Sequence, residues 1–248
     1  MTIHALSIRF KLKQIVWMNF VVLFVVAIPV FLVTTNVRWI INSPLIYELG
    51  FARHDISLNT GIQQDELISA GHQIRDYFNN DEELIQVQIE VRGIRVKNLF
   101  NEREILHMRD VKNLIKGVYR LQEITGIYLI FSVTLCIFLN GSTTASVFSR
   151  HLALGGWFTL FLIGISATAL VVGFDRLFII FHLISFDNDL WILDPQKDYL
   201  IAMFPQGFFY ETTMSIAGLT VIEALLLILL PVLTMSWVRL GRTNKKIG

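Results

Sequence analysis

The sequence predicts an all-α membrane bundle of four transmembrane helices with an extracytoplasmic α/β cap domain between helices 1 and 2, and three observations predict it. Of the 248 residues, 54% are hydrophobic and 17% charged, with a mean hydropathy of +0.57. That is more apolar surface than a soluble domain of this length can cover. Four stretches are long and apolar enough to cross a hydrocarbon core, which needs about 20 residues of helix. The basic residues outside those stretches gather on one side of them. The net charge of +1 excludes a bulk basic field for nucleic acid. The single Cys136 excludes a disulfide framework and a multi-cysteine zinc or iron-sulfur site. It falls in an apolar run and reads as a packed, inert thiol.

The first span covers residues 14–37 and follows Arg9, Lys11 and Lys13. Its apolar run outlasts a signal h-region and no small-residue cleavage site follows, so it reads as an uncleaved anchor. Asn19 and Pro29 within it read as packing and kink features. The second span, 123–139, is the shortest and borrows a turn from the amphipathic stretch before it. The third, 152–172, carries Gly155, Gly156 and Gly164, and the last covers 212–238. Glu223 lies in that last span, where a carboxylate is costly enough to suggest function, pairing within the bundle being the plainer account.

Arg9, Lys11, Lys13, Arg150, Arg239, Arg242, Lys245 and Lys246 occupy the two ends and the 140–151 loop, with no acid among them. The positive-inside rule therefore puts both termini and that loop in the cytoplasm. Segments 38–120 and 173–211 then lie outside, and they hold every Asp and Glu except Glu123 and Glu223. The expected division is 1–37, cytoplasmic terminus and helix 1; 38–122, cap and amphipathic helix; 123–172, helices 2 and 3; 173–211, an extracytoplasmic interfacial segment; and 212–248, helix 4 and tail.

Within the first outer segment, Leu67, Ile74 and Phe78 recur at helical spacing, giving an amphipathic helix over 65–78. Ile85, Val87, Ile89 and Val91 alternate with Gln86, Gln88 and Glu90, giving a strand with one buried face that turns at Gly93. Ile94 and Val96, alternating with Arg95 and Lys97, supply its hairpin partner. Asn101 followed three residues on by Glu104 is a capping-box signature, opening a helix that runs into the second span.

On that helix His107, Val111, Leu114 and Val118 share a stripe, with Arg103 and Glu104 a turn before the imidazole and Asp110 a turn after. A carboxylate could fix its tautomer and make it a general base. A buried, hydrogen-bonded histidine without a role fits the same spacing, and spacing alone favours that reading. In the second outer segment Phe174, Leu177, Phe178 and Phe181 surround Asp175 and Arg176, a composition suited to a helix at the lipid-water boundary. His182 ends that run beside Asp187, Asn188, Asp189 and Asp194. It reads either as an interfacial histidine next to a solvated acidic loop or as part of a site. Asp187, Asp189 and Asp194 as cation ligands are a weak signal, lacking the glycine and terminal glutamate of a calcium loop. His4 and His151 fall on the cytoplasmic side, and solvation accounts for His54 and His72.

No glycine-rich phosphate loop, HExxH, GxSxG or CxxC occurs, and no repeat of 20 to 50 residues is visible. Chemistry here has to run on histidines and carboxylates.

The strings FNEREILHMRDVKNL at 100–114 and FHLISFDNDLWILDP at 181–195 resemble the two signature blocks of the bacterial lipoprotein intramolecular transacylase (Lit) family. The order of parts is also similar, over nearly the whole chain. The resemblance implies transfer of the sn-2 acyl chain of an S-diacylglyceryl cysteine to its own α-amino group, giving a lyso-form lipoprotein. It implies His107 and His182 as catalytic residues, with Arg103, Glu104, Asp110, Asn188 and Asp189 in support. It calls for no cofactor and no metal. The expected partners are a diacylated lipoprotein and membrane lipids, with no nucleic acid, for a monomer in the bacterial cell membrane whose site faces the outer leaflet. His107 is assigned as base and His182 as proton donor or oxyanion partner, with the reverse order open. The alternatives are a non-catalytic membrane protein whose outer domain binds lipid or a partner, and a lipid ester hydrolase using the same histidines.

Overall fold

A computed structural model describes the backbone of residues 2–140, 144–170 and 173–244, and the side chains of 14–138, 148–169 and 173–231. Arg9, Lys11, Lys13, Arg239, Arg242, Lys245 and Lys246, which carry the orientation argument, lie outside the described side chains, as does His4. Among the described residues the regular elements are helices and one two-stranded hairpin: α1 (Thr2–Asn42), α2 (Pro44–Arg53), α3 (Ile56–Thr60), α4 (Gln64–Asn79), β1 (Ile89–Val91), β2 (Ile94–Val96), α5 (Glu102–Asn140), α6 (Thr144–Leu170), α7 (Phe174–Ser185), α8 (Tyr199–Met203) and α9 (Gln206–Asn244).

Among the described residues four helices are long and apolar enough to cross a membrane: Gln14–Asn42, Glu102–Phe138, Phe148–Ala169 and Gln206–Pro231. Their outward faces carry exposed Ile130, Phe138 and Phe161, side chains that water penalises and lipid tails accept. The second span does more than borrow a turn, because α5 is one helix from the capping box onward. The first span likewise outruns the expected 37, continuing to Asn42.

Residues 1–34, 121–165 and 218–248 form one compact unit, and 35–120 with 166–217 form another. In the first unit the helices approach closely where side chains are absent. A Cβ on Gly155 would fall 2.2 Å from Ile28 Cδ1, and one on Gly156 would fall 2.7 Å from the Ala224 carbonyl oxygen. Such contacts are how helices pack where no hydrophobic effect drives them together. Phe24 and Phe148 meet edge to face at 5.0 Å. Cys136 is buried, in keeping with an inert thiol.

The second unit has a dry core of Tyr47, Phe51, Ile56, Ile62, Leu67 and Ile74 and their neighbours. α4 contributes Leu67, Ala70, Gly71, Ile74, Tyr77 and Phe78 from one face, the i, i+3, i+4, i+7 stripe that periodicity predicts. The hairpin turns through Arg92 at φ +52° and Gly93 at φ +77°, the left-handed pair that a two-residue turn between twisted strands requires.

The predicted strand from 85 is only partly one. Ile85, Val87 and Ile89 are all buried, as the alternation requires, yet β1 begins at Ile89. Upstream, the extended backbone bonds to a helix side chain: Gln88 N donates to Gln73 Oε1 at 2.9 Å, and Gln73 Nε2 donates to the Gln88 carbonyl at 3.0 Å. The glutamine amide thus satisfies both backbone groups of Gln88, while the preceding carbonyl, that of Val87, accepts from Leu99 N at 2.9 Å.

Candidate active site

The first turn of α5 is built by the expected capping box. Asn101 N donates to Glu104 Oε2 at 2.8 Å, and Glu104 N to Asn101 Oδ1 at 3.1 Å. The second oxygen of Glu104 accepts from Leu200 N at 2.6 Å. Buried as it is, this carboxylate spends both oxygens on backbone N–H groups, which satisfies the helix terminus and anchors α8. Asn101 Nδ2 reinforces the anchor by donating to Asp198 Oδ1 at 2.8 Å.

One turn along, His107 is buried. It does not receive the carboxylate that the sequence offered it. Glu104 is committed elsewhere, Asp110 Oδ2 accepts from Asn188 Nδ2 at 2.9 Å, and Nδ1 of His107 is buried with no hydrogen-bond partner. Arg103 does not reach the ring either: its Nε donates to the Leu190 carbonyl at 3.4 Å and its Nη2 to the Asp189 carbonyl. The supporting residues named from the sequence therefore hold one another and the 186–200 segment. Asp189 takes part through its backbone carbonyl, and Asn188 through both ends of its amide, its Oδ1 accepting from Leu190 N at 3.0 Å.

His182 comes from the last turn of α7 and is also buried. Its Nδ1 lies 2.6 Å from the Phe178 carbonyl oxygen. A carbonyl only accepts, so Nδ1 carries the proton and Nε2 is left with its lone pair. Burial pushes this imidazole below its ordinary pKa, against a smaller upward pull from that hydrogen bond. The two rings, from helices far apart in the chain, have centroids 6.1 Å apart with planes inclined at 32°.

The surroundings of the pair are aromatic. Phe186 stands edge-on to His107 at 5.1 Å, Trp191 covers His182 at 4.9 Å, and Phe178 and Phe181 lie 4.3 and 5.3 Å from the His182 ring. Sequence reasoning missed Phe186 and Trp191 as walls, and Asp198 and Leu200 as anchors. Only the i−4 carbonyl partner of His182 was within reach of helical spacing. α7 also exposes Ile180, Phe181, Leu183 and Ile184.

Asp187, Asp189 and Asp194 do not assemble with other His, Cys, Asp or Glu side chains into a group of three among the described residues. Asp194 instead accepts from Gln196 N at 3.0 Å and pairs with Lys197 at 3.0 Å. Solvation does not account for His54 and His72, since Nε2 of each is buried without a hydrogen bond. His54 Nε2 lies 3.8 Å from Glu211 Oε1.

Two buried imidazoles, one with a fixed tautomer, in a dry aromatic setting can move a proton between two substrate atoms and donate to a developing oxyanion. The family described as lipoprotein intramolecular transacylase Lit matches the chain over residues 22–209. No curated protein sequence matches it. Among solved structures, the membrane integral lipoprotein intramolecular transacylase Lit from Bacillus cereus is 16% identical with a TM-score of 0.70, covering 93% of this chain and 98% of that one. A variant of that protein with a histidine replaced by arginine superposes with a TM-score of 0.74 at 16% identity, covering 95% and 99%. These likenesses show the fold, that of a multi-pass membrane protein.

Proposed function

The chain belongs to the lipoprotein intramolecular transacylase Lit family, and from that premise we propose that it moves the sn-2 acyl chain of an S-diacylglyceryl cysteine onto the α-amino group of the same cysteine. The single observation that carries the reading is the meeting of His107 and His182, 6.1 Å apart, inside an aromatic wall.

The α-ammonium, with a pKa of about 7.7–8.0, first loses a proton to solvent. The amine then attacks the ester carbonyl carbon and a C–N bond forms. Nε2 of His182, free because Nδ1 is held by Phe178, takes the second amine proton. It returns that proton to the glyceryl oxygen as the C–O bond breaks, so protons balance within one turnover. His107 supplies the oxyanion donor. Its Nδ1 has no partner, and an orphaned buried N–H costs more than an orphaned lone pair, which leaves the proton on Nε2.

This reverses the order expected from sequence, which made His107 the base on the strength of carboxylates that turn out to be engaged elsewhere. Attack within one molecule needs no enzyme nucleophile, since proximity can supply an effective molarity of about 10⁵ M or more. The exposed apolar face of α7 suits a helix lying in the lipid interface, and the charge partition favours the outer leaflet for that interface; the reading takes a diacylated lipoprotein as substrate and the chain as a monomer.

Acyl migration conserves mass, so fragmentation of the lipopeptide tests the reading. The unmodified chain gives N-acyl, S-monoacylglyceryl cysteine, and His107→Gln or His182→Gln slows its formation by about 10²-fold or more. Unchanged N-acylation in either variant overturns the assignment. Release of free fatty acid points to a hydrolase, and an unaltered lipoprotein to a binding protein.

A further inference from the structure

Arg103, His107 and Asp110 stand at i, i+4 and i+7 on α5, one face of a helix. Residues 186–192 cross that face as a strap, pinned on both sides of His107. On one side the Arg103 guanidinium spans two successive carbonyls, those of Asp189 and Leu190. On the other, Asn188 Nδ2 donates to Asp110 Oδ2 at 2.9 Å. Between the pins the strap is closed on itself, Leu190 N donating to Asn188 Oδ1 at 3.0 Å and Ile192 N to the Asp189 carbonyl at 3.2 Å. Trp191, in the middle of this turn, has its backbone fixed by bonds to its neighbours on both sides. Its indole covers the His182 ring at 4.9 Å and 32°.

A histidine held by one hydrogen bond can still swing about its Cβ–Cγ bond, and Nε2 has to stay aimed at the reacting nitrogen. A flat, half-buried ring laid over the imidazole removes that freedom and excludes water from its face. Tryptophan carries no acid or base for the reaction, so its contribution is placement. Resting on the transacylase reading above, we propose that Trp191 is a positioning residue for acyl transfer. Arg103 and the Asp110–Asn188 pair act in the reaction through it, as the pins that hold its indole against His182. Arg103 suits the task because its planar fork reaches two carbonyls at once, which a lysine ammonium does not.

The test uses the full chain in detergent with a synthetic diacylated lipopeptide. Trp191→Ala is expected to lower kcat on the order of 10²-fold with KM little changed, since misplacement by about an ångström costs that much. Trp191→Phe restores most of the rate, and Trp191→Leu, which keeps bulk without a flat ring, does not. Arg103→Ala lowers kcat, but Arg103→Ala combined with Trp191→Ala is no slower than Trp191→Ala alone. Independently of activity, Arg103→Ala and Asp110→Ala each speed hydrogen exchange at the Leu190 and Ile192 amides about 10-fold or more, and Trp191→Phe does not. Multiplicative rate losses in the double variant, or unchanged exchange in the strap, overturn the assignment. If the unmodified chain transfers no acyl group while the exchange result holds, the transacylase reading fails and the pins are structural only.

Discussion

Two regions of the unit that holds both histidines solve the same problem with opposite results. In the stretch that leads into the hairpin, the extended backbone at Gln88 takes both its hydrogen bonds from the Gln73 amide, while Glu90 N in β1 donates to Glu66 Oε2 at 2.9 Å. In the strap, backbone groups bond to Arg103 and Asn188, and in the chain that follows it Leu200 N bonds to Glu104. The device is identical, a side chain bonding directly to backbone groups of an extended or turning segment. What differs is the apolar cargo it places. Before the hairpin Ile85, Val87 and Ile89 go into a dry core; in the strap Phe186 and Trp191 go against two imidazoles. Stability belongs to the first region and geometry to the second, so substitutions in the two should separate folding from rate.

The largest expected effect sharpens that division. His182→Gln removes the proposed base, and a positioned acid-base group is worth about 10²–10⁴-fold, so kcat falls by that factor while the melting temperature holds. A melting temperature that drops with the rate would break the comparison. Phe51→Ala is the converse. Phe51 is fully buried, with Phe204 at 5.5 Å and Phe208 at 6.5 Å, and truncating it costs about 3–5 kcal/mol of stability. Chemical denaturation checks it, with the rate per folded molecule unchanged.

Glu104→Ala tests the seam between the regions. It leaves the buried Leu200 N–H without an acceptor, at about 1–3 kcal/mol, and frees the chain that follows the strap. Both unfolding free energy and rate therefore fall, and a loss confined to either one assigns Glu104 to a single region. Glu104→Gln keeps one acceptor oxygen and loses less.

What could be read in the sequence follows the same line. α4, the capping box and the turn at Gly93 were legible because each is a local pattern: a 3.6-residue stripe, an Asn followed by a Glu at three, a glycine between alternating runs. α3 and α8 were not. Ser43-Pro44 opens α2 with a start signal that sequence reasoning missed, although Ser43 makes no side-chain cap, and α3 starts after Asp55 in a left-handed conformation that no local pattern announces. The burial of 85–89 showed in the alternation, but its bonding partner, Gln73, lies on a helix. Likewise Glu104, Arg103 and Asp110 were visible as groups near His107, whereas their partners stand 78 to 96 positions away. Proximity in sequence offered those groups to the imidazole; tertiary structure gave Glu104 and Arg103 to the backbone and Asp110 to the Asn188 amide. The two blocks carrying the histidines were legible as a resemblance, and spacing by itself favoured a role-free histidine at 107.

The smallest effect is a change of slope with pH. Two deprotonations precede acyl transfer in the proposed mechanism. The substrate ammonium, at about 7.7–8.0, makes log kcat/KM fall with unit slope as pH drops below that range. His182 adds a second unit where it protonates. Burial lowers its pKa below the ordinary 6.5, with the uncharged partner ring of His107 facing it and Asp110 engaged by Asn188. The slope should therefore stay near one through pH 6.5 and steepen toward two only below it. The stability contribution has the same sign: the unfolded chain binds this proton first, so stability is full above 6.5 and declines as pH falls through the folded value. Trp191→Ala opens the ring to water and should move the break upward toward 6.5, whereas Gln73→Ala, on α4, should cost about 1 kcal/mol and leave it in place. A break at or above 6.5 in the unmodified chain would mean that the His182 imidazole is solvated during turnover, and the contrast between a dry, pinned site and a dry, packed core would lose its chemical half.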